Sequence, residues 1–142
     1  MTAAGEDIVR VLCVDDNALI IDALTVRFAL EPWIQVAGVL PQADGLVETA
    51  LETKADIVLL DVDMPGRDAF DALAELSSLC PDVRAIMVSG HVRGELLDRA
   101  LESGAWGYIS KTAGADAVVS AIRSVRDGEF VFSPDVPAEG FR

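Results

Sequence analysis

The hydrophobic positions of the chain fall into five short apolar runs that begin near residues 9, 35, 57, 84 and 107. About 25 residues separate one run from the next, which is the length of a strand followed by a crossover helix. Between the runs, apolar residues recur at helical spacing, as in Phe70, Leu73 and Leu76. Runs 1, 3 and 4 are nearly continuous in apolar residues, which is typical of strands covered on both faces. The pattern predicts a doubly wound α/β domain in which five parallel strands alternate with five helices.

The limits of the domain are marked by a change in composition. The fifth helical stripe ends near Asp127, and glycines, prolines and phenylalanines follow it. We therefore expect an N-terminal tail over residues 1–8, one domain over residues 9–127, and a C-terminal extension or the start of a linker over residues 128–142. The fifth run is short and contains Gly107 and Tyr108, so we expect strand 5 to form an edge of the sheet.

Composition and charge exclude several classes of protein. The formal net charge of −13 argues against nucleic-acid binding by this chain. The first ten residues lack the basic stretch and apolar core of a signal peptide, and no apolar run approaches the length of a bilayer span. Cys13 lies within an apolar run and Cys80 precedes a proline, so both are expected to be buried or half-buried thiols and not a disulfide or a metal set. We expect a soluble cytoplasmic protein without a membrane partner.

Polar side chains follow four of the five apolar runs. Asp15 and Asp16 follow run 1, Asp61 ends run 3, Ser89 ends run 4, and Lys111 follows run 5. Because the carboxyl ends of parallel strands meet at one edge of an open sheet, we expect these side chains to lie together. Three carboxylates, a hydroxyl and an ammonium in one place indicate a divalent cation and a phosphate. Mg²⁺ suits such oxygen ligands.

The acidic residues also have an ordinary interpretation. Asp15 and Asp16 precede the first predicted helix at Ala18, and aspartate is a good N-cap. Two adjacent carboxylates are more than one cap needs, and they would repel Asp61 unless a cation lay between them. Asp61 ends an apolar strand, where a carboxylate can act as a nucleophile and form an acyl phosphate.

The remaining candidates are weaker when each is taken alone. A lysine at a strand end, such as Lys111, is commonly solvated, and a serine such as Ser89 is commonly a turn residue. Tyr108 fits half-buried packing at a sheet edge. His91 is the only histidine and has no cysteine or histidine cluster around it, so we interpret it as a surface residue or part of the site rim.

Together the motifs resemble the receiver domain of bacterial two-component response regulators. The segments VLCVDDN, DIVLLDVDMPG, AIMVSG and GYISK occur in the order that the family shows, and the resemblance runs from about Arg10 to Asp127. GAWGYISK and SVRDGEFVFSP are most similar to the NarL/FixJ (LuxR-type) branch, which usually carries a C-terminal helix-turn-helix domain. The resemblance therefore implies either the receiver part of a longer transcription regulator or a free-standing receiver. The resemblance implies a flavodoxin-like fold with a five-stranded parallel sheet in the order 2-1-3-4-5.

The resemblance also implies a role for each site residue. Asp61 is similar to the phosphoacceptor, which takes a phosphoryl group from a sensor histidine kinase or a histidine phosphotransfer protein. Lys111 would pair with the carboxylate or a phosphoryl oxygen. Ser89 would bond the phosphoryl group, and Tyr108 would turn inward as Ser89 moves. The implied Mg²⁺ set is Asp15 (often through water), Asp16, Asp61 and the backbone carbonyl of Asp63.

The implied output is a change in the surface formed by helix 4, strand 5 and helix 5. Phosphorylation adds charge and acceptor oxygens at Asp61, and a shift between two existing packings would follow. Homodimerisation or docking of a partner on that surface, or on helices 1 and 5, would carry the signal. The implied role is signalling and not enzymatic turnover, and DNA would be contacted only through a C-terminal domain.

Two features depart from the family pattern or modify it. The family usually has proline after the lysine, often with a cis bond, whereas this chain has Thr112. Because a cis bond before a residue other than proline costs about 3 kcal/mol, we predict a trans Lys111–Thr112 bond or a strained cis one. Asp63 and His91 occupy positions that flank the acyl phosphate, where they would influence its hydrolysis.

Two other functions remain open from the sequence. A receiver-like interaction module that never carries phosphate is one, because Thr112 departs from the pattern. A phosphatase of the haloacid-dehalogenase type is the other, because it also uses an aspartyl nucleophile with Mg²⁺. The order of the motifs argues against the phosphatase, since its Asp-x-Asp lies on the first strand and here Asp61 and Asp63 follow the third run.

Overall fold

The computed structural model describes residues 7–90 and 94–132, and it contains strands alternating with helices along the chain. The predictions for His91, for residues 1–6 and for residues 133–142 fall outside this description. The strands are β1 (Val9–Val14), β2 (Ile34–Leu40), β3 (Ile57–Asp61), β4 (Arg84–Ser89), β5 (Gly107–Ser110) and β6 (Val131–Phe132), and the helices are α1 (Ala18–Phe28), α2 (Leu46–Thr53), α3 (Ala69–Leu79), α4 (Gly94–Ser103) and α5 (Ala115–Arg126).

The strands form one parallel sheet in the order β2-β1-β3-β4-β5-β6. The predicted parallel α/β architecture and the order of the first five strands are confirmed, but the prediction of five strands is wrong. Val131 and Phe132 pair with Gly107 and Tyr108 and add a sixth strand. A β-carbon at Gly107 would lie 3.0 Å from the Val131 side chain and 3.2 Å from its carbonyl oxygen, so glycine is what admits this strand.

Two apolar clusters cover the two faces of the sheet. One cluster packs α2, α3 and α4 against one face, and the other packs α1 and α5 against the opposite face. Successive residues of β1 point into different clusters, since Leu12 belongs to the first and Cys13 to the second. This double cover explains why the central strands are apolar at nearly every position.

The sixth strand also changes the environment of Tyr108. The side chain is fully buried in the first cluster, at 0% exposure. The prediction that β5 is an edge with a half-buried tyrosine is therefore wrong, because β6 covers that edge. Cys13 and Cys80 are free and buried, as predicted. Among the described residues, every helix is too short or too polar to cross a membrane.

Candidate functional site

The register of the sheet brings the polar strand ends together. Asp61 is the last residue of β3 and pairs with Val88 of β4, while Ser89 pairs with Ser110 at the end of β5. Lys111 follows Ser110 directly. The prediction that Asp61, Ser89 and Lys111 follow neighbouring strand ends is confirmed, because parallel strands in register end at the same edge.

Three carboxylates form a cluster at this edge. One oxygen from each of Asp15, Asp16 and Asp61 lies within 4.8 Å of the others. Asp15 and Asp61 are buried, at 8% and 2% exposure, whereas Asp16 is exposed. The cluster is therefore open to solvent on one side and enclosed on the other.

Helix capping does not account for these carboxylates. Asn17 is the N-cap of α1, and its side-chain oxygen accepts hydrogen bonds from the N–H groups of Leu19 and Ile20. Asp15 Oδ1 instead accepts a hydrogen bond of 2.8 Å from Asn17 N–H, which orients the carboxylate without capping the helix. The capping alternative for Asp15 and Asp16 is wrong. Sequence reasoning missed Asn17, although asparagine directly before the first apolar stripe is an N-cap signal.

Lys111 supplies the positive charge of the site. Its Nζ lies 3.1 Å from Asp61 Oδ2 and 4.0 Å from Asp15 Oδ2. Although burial acts to lower the pKa of Lys111, its interactions with Asp61 and Asp15 outweigh burial and raise that pKa above its ordinary value. Lys111 therefore stays charged across the physiological range, and it is not the solvated surface lysine of the ordinary interpretation.

The two oxygens of Asp61 have different surroundings. Oδ1 accepts a hydrogen bond of 2.9 Å from Asp63 N–H. Oδ2 is buried, and no described residue gives it a hydrogen bond. The Lys111 ammonium lies close enough for an ion pair with Oδ2 but outside hydrogen-bond geometry. A buried carboxylate oxygen without a hydrogen bond is costly, and it marks a position where a ligand would be stabilising.

Burial and neighbouring charge also affect Asp15. Burial, together with the negative charge of Asp61, raises the pKa of Asp15, while the hydrogen bond from Asn17 N–H and the charge of Lys111 oppose the rise. Among the described residues, the site has three carboxylates and one ammonium, which is an excess of two formal negative charges. This donor set fits a divalent cation with a preference for oxygen.

Asp63 lies outside the carboxylate cluster. Its Oδ2 accepts a hydrogen bond of 3.0 Å from Gly90 N–H, at the residue that follows β4. The side chain thus links the loop after β3 to the loop after β4, while its N–H orients Asp61. A metal ligand from Asp63 would have to come from its backbone carbonyl, as the resemblance implied.

The loop after β5 contains a feature that sequence reasoning missed. Residues Lys111–Ala113 form a single 3₁₀ turn, and Ser110 caps it by accepting a hydrogen bond of 3.1 Å from Thr112 N–H. The hydroxyl groups of Ser110 and Thr112 lie 2.7 Å apart. The Lys111–Thr112 bond is trans, as predicted. The available signal was a hydroxyl residue on each side of the lysine.

The switch residues occupy buried positions. Ser89 and Tyr108 are both fully buried at 0% exposure, on neighbouring strands. Tyr108 is thus already buried in this conformation, and the inward turn that the resemblance implied stays a prediction.

Known proteins with similar sequences are response regulators. The profile of the response regulator receiver domain family matches residues 11–123. The chain is 34% identical over 128 residues to "Response regulator GacA" of Pseudomonas aeruginosa and 34% identical over 130 residues to "Response regulator UvrY" of Escherichia coli. These matches cover 90% of this chain but only 60% and 59% of those proteins. The chain thus spans about 60% of the length of the curated relatives it matches.

Solved structures with the same fold include receivers of the LuxR type. The structure of a two-component response regulator of the LuxR family from Aurantimonas matches with a TM-score of 0.86 and 25% identity, over 92% of this chain and 93% of that one. The signal receiver domain of the putative response regulator NarL from Mycobacterium tuberculosis matches with a TM-score of 0.81 and 26% identity, over 87% of this chain and 99% of that one.

Proposed function

The chain belongs to the response regulator receiver domain family, and from that premise we propose that Asp61 accepts a phosphoryl group from the phosphohistidine of a histidine kinase or histidine phosphotransfer protein. The proposal rests on the surroundings of the Asp61 carboxylate. Its carboxylate is buried, one oxygen has no hydrogen bond from the described residues, and an ammonium and two further carboxylates surround it.

In the proposed transfer, Asp61 is the only residue of this chain that forms a covalent bond. An Asp61 oxygen attacks the phosphorus atom, a P–O bond forms as the P–N bond breaks, and the leaving imidazole nitrogen retains the electron pair and takes up a proton. Catalysis is then positioning and charge stabilisation. The hydrogen bond from Asp63 N–H holds the Asp61 carboxylate in one orientation, which reduces the cost of aligning it with the donor.

The residues present fit Mg²⁺ as the cofactor. Asp15, Asp16 and Asp61 offer carboxylate oxygens, and two uncompensated negative charges match a divalent cation. The backbone carbonyl of Asp63 is the further ligand that the resemblance implies. When bound, Mg²⁺ would neutralise charge on the carboxylates and on the incoming phosphoryl oxygens, which otherwise repel each other.

Lys111 and Ser89 would stabilise the product. Lys111 Nζ already lies 3.1 Å from Asp61 Oδ2, so a phosphoryl oxygen added to this carboxylate would be within its reach. Ser89 ends the neighbouring strand and would donate its hydroxyl to the phosphoryl group. Since Tyr108 is already buried one strand away, we propose that it repacks in response to Ser89 and alters the surface of α4, β5 and α5.

The proposed change at α4, β5 and α5 would act on the rest of a longer protein. Relatives of this chain are longer, and one of them is named "Transcriptional regulatory protein MctR" of Rhizobium johnstonii. We propose that this chain is the regulatory part of a cytoplasmic transcription regulator, that a DNA-binding domain belongs to the whole protein, and that phosphorylation changes homodimerisation. The chain itself, with a net charge of −13, would not contact DNA.

Phosphoryl labelling tests the proposal, because an acyl phosphate on Asp61 would be stable in acid and labile in alkali. We expect the chain to incorporate one phosphoryl group from acetyl phosphate in the presence of Mg²⁺, and to bind beryllofluoride. The Asp61→Asn variant should do neither, while Asp98→Asn, a change at an exposed residue of α4, should match the wild type. Label that persists in Asp61→Asn would reject Asp61 as the acceptor.

The same preparation separates the two other candidate functions. An interaction module that never carries phosphate would take up no label and would not bind beryllofluoride. A phosphatase would turn over p-nitrophenyl phosphate repeatedly, whereas a receiver should show almost no turnover.

A further inference from the structure

The tripeptide Ser110-Lys111-Thr112 forms a closed local unit at the end of β5. Ser110 is buried at 4% exposure, and its Oγ accepts the Thr112 N–H at 3.1 Å. The same oxygen lies 2.7 Å from Thr112 Oγ1, so both hydrogen bonds end on one atom. The two bonds tie the residue before Lys111 to the residue after it.

This unit fixes the backbone position from which the Lys111 side chain extends toward Asp61. Lysine has a long, flexible side chain that loses conformational entropy when it is held in one arrangement. If the backbone at Lys111 were mobile, the distance of 3.1 Å between Nζ and Asp61 Oδ2 would be harder to maintain. Lys111 is the first residue of a 3₁₀ turn that the Ser110 hydroxyl caps. Ser110 itself is the last residue of β5, a buried strand.

The hydrogen bonds require the residue types that this chain has. Proline, which the family usually has at this position, lacks an N–H and a hydroxyl, so it could form neither bond. Serine at position 110 provides the acceptor from inside the sheet. The lysine loop is thus held here by one hydrogen bond from the Thr112 backbone to the Ser110 hydroxyl and one between the two hydroxyl groups.

We propose that Ser110 and Thr112 are positioning residues that hold Lys111 against Asp61 in the trans loop of this receiver. The proposal rests on the proposed function to the extent that Lys111 serves the phosphoryl site. Its structural part, the placement of Lys111, can be measured without any phosphoryl donor.

Four variants test the proposal in the full chain. Ser110→Ala removes the atom on which both bonds end, and Thr112→Val removes the hydroxyl but keeps the N–H and the branched shape. Thr112→Ser keeps both bonds and is the conservative rescue. Ser77→Ala is the matched control, because it also removes a serine hydroxyl, one that donates to the backbone carbonyl of Ser103 at the end of α4 at 3.0 Å.

The first measurement is the pKa of Lys111 in metal-free protein, determined by NMR from the pH dependence of the Lys111 Cε and Nζ signals. The charge of Asp61 acts to raise this pKa in the wild type. We expect the pKa to fall in Ser110→Ala, to fall less in Thr112→Val, and to stay at the wild-type value in Thr112→Ser and Ser77→Ala.

The second measurement is the beryllofluoride concentration that half-saturates the protein at saturating Mg²⁺. We expect it to rise about threefold in Thr112→Val, because Thr112 is exposed and water replaces part of the lost bond. We expect a rise of about tenfold in Ser110→Ala, because the Thr112 N–H then loses its acceptor. A fifth variant that combines Ser110→Ala with Thr112→Val should bind beryllofluoride no more weakly than Ser110→Ala alone, since both bonds share one oxygen.

The outcomes distinguish this proposal from the proposed function. An unchanged Lys111 pKa in Ser110→Ala and Thr112→Val would overturn the positioning role, even if the wild type binds beryllofluoride. If the Lys111 pKa falls as expected but wild-type protein binds no beryllofluoride, the positioning role stands and the proposed function fails. If Ser110→Ala does not fold, the pair Thr112→Val and Thr112→Ser decides the matter at an exposed position.

Discussion

The charge balance at Asp61 leads to a prediction about stability without metal. In Asp61→Asn the side chain keeps its shape and can still accept the Asp63 N–H, but it loses its charge. The Lys111 ammonium at 3.1 Å attracts the Asp61 carboxylate by about 5 kcal/mol at an effective dielectric constant of about 20. The oxygens of Asp15 and Asp16, within 4.8 Å, repel it by about 3.5 kcal/mol each, or about 7 kcal/mol together.

Repulsion therefore exceeds attraction by about 2 kcal/mol, and relief of the burial of a charge acts in the same direction. A weaker hydrogen bond from Asp63 N–H offsets part of this gain, about 1 kcal/mol. We expect Asp61→Asn to stabilise the metal-free protein by about 1 kcal/mol, which corresponds to a rise in Tm of about 3 °C for a domain of this size.

Thermal unfolding in EDTA, at pH 7 and low salt, measures this difference. Asp98→Asn, at an exposed position on α4, should change the stability by less than about 0.5 kcal/mol. With saturating Mg²⁺ the order should reverse, since the wild type gains more from the cation than Asp61→Asn does. A lower Tm for Asp61→Asn than for the wild type in EDTA would refute the reasoning, because the ion pair with Lys111 would then outweigh the repulsion.

Three further predictions concern Lys111, Gly107 and Cys13. Lys111→Met removes the cation of the site and should lower the Tm in EDTA, with Mg²⁺ restoring part of the loss; an unchanged Tm would contradict the ion pairs at 3.1 and 4.0 Å. Gly107→Ala should destabilise the protein by about 1–3 kcal/mol in urea unfolding, because its β-carbon would lie 3.2 Å from the Val131 carbonyl oxygen; equal midpoints would show that β6 is dispensable. Burial and the charge of Asp15 raise the pKa of Cys13 to about 12, so iodoacetamide should label this thiol at pH 8.5 only after unfolding. The stability that comes from keeping the thiol neutral should be lost between pH 9 and pH 12, because only the unfolded chain releases the proton there. Rapid labelling of Cys13 in folded protein would disprove this prediction.

The acidic site was accessible from the sequence because of a general property of parallel sheets. Their strands end at one edge, so Asp61, Ser89 and Lys111 could be brought together from their positions after apolar runs. The distances that give these groups their properties were not accessible. The Asp61 oxygen without a hydrogen bond depends on where Asp63 N–H and the Lys111 ammonium lie in space.

The errors in the sequence analysis arose from short or non-local features. A two-residue strand such as Val131–Phe132 is too short to show a periodic pattern. Its pairing depends on the missing side chain of Gly107, which is distant in sequence. The full burial of Tyr108 follows from that pairing, so one missed strand produced two wrong predictions.

The amino-acid sequence by itself determined the alternation of strands and helices and the chemistry available at the strand ends. These properties are local, since each depends on hydrophobic spacing and on residue type. Only the tertiary structure decided which oxygen of Asp61 is left without a hydrogen bond and which strand covers Tyr108. Each of these depends on contacts between side chains that the chain brings together only when the sheet is assembled, and electrostatic and hydrogen-bond energies change steeply over a few ångströms.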